Sequence, residues 1–135
     1  MAGKIVADTL EHSTAGSIAT NYVVNGSAKA WVNYDGTITP AVRDSFNHSS
    51  ITDNANADHT ITHTNAFATA TDYLAIGTGG YTADGAAGGH IGFDRISANG
   101  NESAPTSTTR RVSHQVSSTI DEQKYASLMF IGDLA

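Results

Sequence analysis

The sequence predicts an all-β domain: a small antiparallel β-sandwich, jelly-roll-like, behind an extended N-terminal arm. Three observations carry this reading. Short runs alternate apolar and polar residues with a period of two. Clusters of Gly, Asn, Asp, Pro and Ser separate the runs. The composition is that of a β protein, with 13 Gly, 15% charged residues and Ser plus Thr at about a fifth of the chain. A chain of 135 residues has room for one domain of ordinary size.

Residues 1–26 are polar and rich in small side chains, around Lys4–Leu10 and Asn21–Gly26. They cannot close a core alone and are expected to form an extended arm, because unpaired backbone groups seek a partner surface. The domain proper is expected at 27–135. Its first strand is Ser27–Tyr34, with Ala28, Ala30, Val32 and Tyr34 on one face and Lys29, Trp31 and Asn33 on the other. Asp35-Gly36 supplies a tight turn, and Pro40 precedes the extended run Ala41–His48. A turn cluster, Asp53–Ala57, leads to His59–Thr64, which places His59, Ile61 and His63 on one side. Further strands are expected at Asp72–Ile76, His90–Ile96, Arg110–Val116 and Lys124–Ile131. The stretch Gly77–Gly89 lacks the Gly-Lys-Ser/Thr ending of a phosphate loop and reads as a long exposed loop able to carry recognition. Seven or so such strands suit a sandwich or barrel.

Composition narrows the function. The 39% hydrophobic content is roughly a third Ala, so the core is thin. Thirteen Asp and Glu against seven Lys and Arg leave a net charge of −6, which disfavours nucleic acid and anionic membranes. Without Cys there is no disulfide, zinc thiolate or thiol nucleophile. No apolar segment suits a signal peptide or a membrane span, so no membrane insertion is expected.

No Gly-x-Ser-x-Gly elbow marks a hydrolase, and Glu11, Glu102 and Glu122 lie in polar segments that read as surface, giving no glycosidase pair. A depolymerase would need a longer β-helical chain. Neither catalytic residues nor a cofactor are expected. His59 and His63 share a strand face about 13 Å apart, too far to chelate one ion within a chain. In a three-fold assembly each could meet its copies on the axis and hold a transition metal, against the commoner role of a packed, hydrogen-bonded histidine.

Ala28-Lys29-Ala30-Trp31-Val32-Asn33-Tyr34-Asp35-Gly36, followed by Arg43-Asp44-Ser45-Phe46-Asn47 and Ser49–Asn54, closely resembles a segment recurrent in tail-fibre and appendage proteins of marine bacteriophages. The leader Gly3–Ser17 and the ending Gly132–Ala135 are similar to that group as well. The likeness covers residues 1 to about 64 and the last few; residues 65–123 carry none. The family commonly reads Asp-Tyr-Thr-Val-Asn-Phe where this chain has Asp58-His59-Thr60-Ile61-Thr62-His63, which favours packing positions for both His.

The resemblance implies a non-enzymatic virion structural protein, a homotrimer of β-sandwich-like subunits that contacts other virion proteins of tail or capsid. Ala28 and Ala30 would allow close approach between subunits, with Trp31, Tyr34 and Phe46 as anchors. Gly79, Tyr81 and His90 would be placed to touch a host receptor or glycan. Two alternatives stand beside the tail fibre. One is a capsid-decorating or head-fibre protein. The other is a free lectin-like β-sandwich presenting Trp31, Tyr73, Tyr81 or Tyr125 to sugar.

Overall fold

The computed structural model describes residues 5–37, 39–82, 89–94, 103–116 and 119–135. Strands β1 (Thr9–His12) and β2 (Gly16–Ala19) form a hairpin, and a short helix α1 (Thr20–Gly26) follows. The domain then runs through β3 (Ala28–Asp35), β4 (Ala41–Phe46), β5 (His48–Ala55), β6 (Asp58–His63), β7 (Leu74–Thr82) and β8 (His90–Phe93). It ends with β9 (Thr109–Val116), β10 (Thr119–Ile120) and β11 (Gln123–Ile131).

Apart from the hairpin, the strands make one antiparallel sheet in the order β4-β3-β11-β7-β8-β9-β6-β5, with β10 paired to β9. Strands β7, β8 and β9 form a meander and β11 returns beside β7, a Greek key. The two ends of the path are consecutive in sequence. Strands β4 and β5 are separated by Asn47 alone, so the sheet curls into a nearly closed barrel. Among the described residues no ladder joins β4 to β5, and this seam is the gap in the wall.

The all-β antiparallel class is therefore observed, as one sheet curled on itself where two packed sheets were expected. Alternating strands of this number suit either arrangement; which strands pair decides between them.

Local chemistry explains where the strands break. The run expected at Ala41–His48 is split at Asn47, whose φ of 53° is a left-handed conformation that Asn tolerates better than most residues. Asn47 Oδ1 accepts from Asn65 N (2.7 Å) and Asn65 Nδ2 (3.0 Å), which holds the corner. Ala57, at φ 56°, closes the β5–β6 turn.

The glycine-rich stretch is a strand up to Thr82, contrary to the loop expected there; residues 83–88 lie outside the described residues. Its glycines answer inner-wall crowding. A Cβ on Gly77 would come within 2.8 Å of Leu128, and one on Gly79 would overlap the Gln123 amide at 1.1 Å. The arm also departs from expectation, being a hairpin and a helix where a simple extended segment was read.

Inward residues of the wall form the core: Ala30, Val32 and Tyr34 of β3, Ile61 of β6, Ile91 of β8, Val112 of β9, and Ala126, Leu128 and Phe130 of β11. Phe67 and Tyr73 join them from the segment between β6 and β7. That segment caps one end of the barrel, tied by Phe67 N to Ser107 O (2.7 Å) and Ala68 N to Asp133 O (2.8 Å).

Candidate functional site

Three features outside the plain apolar core carry chemistry: a buried histidine chain, an exposed apolar stripe on the barrel wall, and the arm.

The histidine chain lies at the barrel end opposite the Phe67 cap. His59 is the second residue of β6, His114 lies on the inward face of β9, Tyr34 ends the inward row of β3, and Gln123 starts β11; all four are fully buried. Gln123 N donates to His114 Nδ1 (3.3 Å), so that nitrogen is unprotonated. His114 Nε2–H then donates to Tyr34 Oη (2.8 Å), and the Tyr34 hydroxyl donates onward to His59 Nδ1 (3.4 Å). This directionality leaves both rings neutral. His59 Nε2 has no hydrogen-bond partner among the described residues.

Burial and then the nearby His59, whose ring centre is 4.9 Å away, push His114 down to about 3. Burial lowers His59 as well, against weaker pulls from Asp53, Glu122 and Asp58, and burial raises the Tyr34 hydroxyl. On the outer wall beside this end, Arg111 grips the fully buried Asp58 with two bonds of 2.7 Å. Gly36 leaves the space His114 occupies; a Cβ there would sit 2.7 Å from its ring.

The wall stripe is made by register. Phe46 pairs with Trp31, Trp31 with Met129, and Met129 with Ile76, a row across β4, β3, β11 and β7 on the outer face. The pair Ile131 and Leu74 continues it two residues on. Phe46 is 54% exposed, Leu74 57% and Ile76 43%. A shallow cleft of about 210 Å³ runs along Ile76, Met129 and Ser127.

The arm hides nothing of itself. No residue from 5 to 27 is buried, and Ile5, Val6, Leu10, Ile18, Tyr22 and Val24 stand open. Its root is held where Lys29 Nζ donates to the Val24 carbonyl and to Ser27 Oγ.

Clefts among the described residues lie near Phe67, Thr69 and Asp133 (about 220 Å³), along the wall stripe, and on the arm. None is lined by the histidine chain. The chain orders the barrel end by linking β3, β6, β9 and β11.

The residues singled out from sequence divide accordingly. Trp31 and Phe46 lie on the outer face and Ala28 is half-buried. Ala30 and Tyr34 point inward with no exposed surface, so they cannot anchor a subunit contact; their alternation phase puts them on the core side of β3. His59 and His63 are likewise interior, which removes them as axial ligands shared between copies. Among the described residues no three His, Asp or Glu side chains gather as a metal site, and no helix is long and apolar enough to cross a membrane. Gly79 sits in the wall against Gln123, and His90 is exposed at the start of β8. The Tyr81 side chain lies outside the described residues, as does Glu102. Tyr73 is buried, whereas Tyr125 is 52% exposed with Arg43 over its ring.

Sequence reasoning missed His114 and Gln123, which have no spacing signal in common with His59 or Tyr34. It also missed Met129, Ile76 and Leu74, which only strand register brings beside Trp31. Comparison with known proteins finds no matching family model, curated protein or solved structure.

Proposed function

We propose that this chain is a non-enzymatic structural subunit of a bacteriophage virion, a tail-fibre or appendage protein that works as a homotrimer. One observation carries the assembly part: the arm exposes a row of large apolar side chains and buries none of its own residues. Such a segment gains stability by covering those side chains against a partner surface, here taken to be a neighbouring chain. The barrel suits the role of a compact projecting unit, and the sequence likeness in its first half supplies the virion setting. Localisation on the particle, attachment through residues 1–26 to tail or capsid proteins, and contact of the far surface with a host receptor or glycan belong to the same reading.

The test is solution mass by light scattering on the untagged chain, with detection of the chain in purified particles. A mass near three times 14.0 kDa together with particle association is the expected result. A stable monomer absent from particles overturns it. Tyr125, half-exposed beneath Arg43, favours a second reading as a lectin-like binder, which glycan binding by a monomer would support.

A further inference from the structure

The Asn47 corner joins the two free edges of the wall, and two histidines flank it. His48 opens β5 directly after the corner, and strand register sets it opposite His63, the last residue of β6. His63 is 3% exposed and His48 is half-buried. Among the described residues, His48 Nε2 and both ring nitrogens of His63 are buried without a well-formed hydrogen bond. Two neutral imidazoles can sit this way. Two imidazolium ions cannot, because each would lose its hydration and meet a like charge.

The surroundings give an added proton little to pair with. On β9, Arg110 lays its guanidinium over the rings of Tyr73 (5.1 Å) and Phe93 (5.7 Å) at this same end of the barrel. Asp94, just after β8, is held by Arg110 at 2.6 Å and is neutralised by it. The cap contributes Phe67 and Tyr73, whose hydroxyl donates to the Thr106 (3.1 Å) and Thr109 (3.3 Å) carbonyls, and β11 contributes Phe130. Burial is the main force holding both histidines neutral. His48 and Arg110 further disfavour a charge on His63, and weaker pulls from the Asn47 backbone on His63 and the Ser50 backbone on His48 oppose this.

Topology decides where the strain is released. The other buried pair, His59 and His114, belongs to a hydrogen-bond chain that links four strands, so charging it strains the wall as a whole. His48 and His63 adjoin the seam instead, where no ladder joins β4 to β5 among the described residues. The corner is held by the Asn47 carbonyl, which accepts from Thr64 N (3.3 Å), by Asn47 Oδ1, which accepts from Asn65 N and Nδ2, and by Asn47 Nδ2, which donates to Asn65 O (3.3 Å). These few bonds also maintain the left-handed backbone of Asn47.

We propose that the Asn47 corner is an acid-released latch: protonation of His48 and His63 spreads the β4–β5 seam and admits water to the aromatic end, while the rest of the wall stays paired. Local opening is the cheaper way to hydrate the two charges, since it undoes side-chain and corner bonds and leaves the ladders intact. The latch is independent of the assembly reading.

The experiment is amide hydrogen exchange on the full chain, read by NMR as protection factors from pH 7 to pH 4. The Thr64 and Asn65 amides report the latch, and the β3–β11 and β11–β7 ladders report the wall. Latch protection is expected to fall below pH 6.5 by about tenfold per pH unit for one proton, and more steeply where both bind, while ladder protection holds. The ring signals of His48 and His63 should titrate over the same range. His48→Gln and His63→Phe should each lower the slope, and the double variant should flatten it, with urea midpoints at pH 7 checking that each variant is folded. His48→Gln alters a half-buried position and carries the test alone if the double variant does not fold. Latch amides without protection at pH 7, or with protection that does not change with pH, overturn the proposal. So does equal loss in latch and ladders, which is global acid unfolding, and so does an unchanged slope in the histidine variants.

Discussion

At one end of the barrel His63 sits among Phe67 (5.1 Å between ring centres), Tyr73 and Phe130 (4.6 Å), and among the described residues its ring nitrogens make no well-formed hydrogen bond, only a weak approach to the Asn47 backbone. At the other end His114 uses both nitrogens, one on Gln123 and one on Tyr34. The residue type is the same and so is the depth, yet the roles are opposite. His63 is an aromatic filler in a stacked cluster, with Phe67 and Tyr73 only 4.2 Å apart. His114 is a hydrogen-bonding link that joins three strands. The comparison teaches that burial alone does not say what a core histidine contributes; the partners of its nitrogens do.

Acid should strain both ends at once and by the largest amount. Burial holds His63 at about 4 and His114 at about 3, below the ordinary value near 6.5 that an unfolded chain shows. The unfolded state therefore binds protons first as pH falls. Stability is full above pH 6.5 and declines below it, by roughly 1.4 kcal/mol per pH unit from each group, until pH passes about 4 for His63 and about 3 for His114. Urea unfolding between pH 7 and 4 measures this; a flat profile would contradict the neutral, buried assignment of both.

Phe130→Ala empties the aromatic end and should cost about 3–5 kcal/mol, read as a lower urea midpoint with unchanged slope. Next, the same substitution made at both ends should have unequal effects. His114→Phe leaves the Gln123 N–H and the Tyr34 hydroxyl without their partner and should cost about 1–3 kcal/mol. His63→Phe removes two poorly satisfied buried nitrogens from an aromatic cluster and should be neutral or stabilising, within about 1 kcal/mol. It should also remove part of the acid sensitivity. Equal losses at both ends would dissolve the distinction. At the corner beside the aromatic end, Asn47→Ala should cost about 1–2 kcal/mol from its left-handed backbone alone. Asn47→Gly, which removes that strain but not the lost bonds to Asn65, should recover most of it if backbone dominates.

Much of the wall was legible because alternation is a local signal. Residues 28–34 and 59–63 point as their sequence phase says, and the turn near Asn56-Ala57 falls where Asn, Asp and Ala cluster. The Gly77–Thr82 strand was not legible, since glycines read as loop unless one knows that Leu128 and Gln123 press against them. Nor was closure of the sheet, which depends on β3 choosing β4 and β11 as neighbours from far along the chain. The histidine chain joins positions 34, 59, 114 and 123, and the stripe joins 31, 46, 76 and 129. No window of sequence contains either, so register was needed to assemble them.

A nearly closed wall with a single seam has a mechanical character of its own. Strands β4 and β5 are joined covalently at Asn47, while among the described residues no ladder crosses between them. Spreading the seam turns the wall about that corner and breaks the contacts that pin Asn47 to Thr64 and Asn65, with no strand ladder among the described residues to resist it. Pulling along β3, β11 and β7 loads their long paired ladders in shear, many bonds at a time. The domain is thus a spring clip, compliant across one line and stiff along its strands.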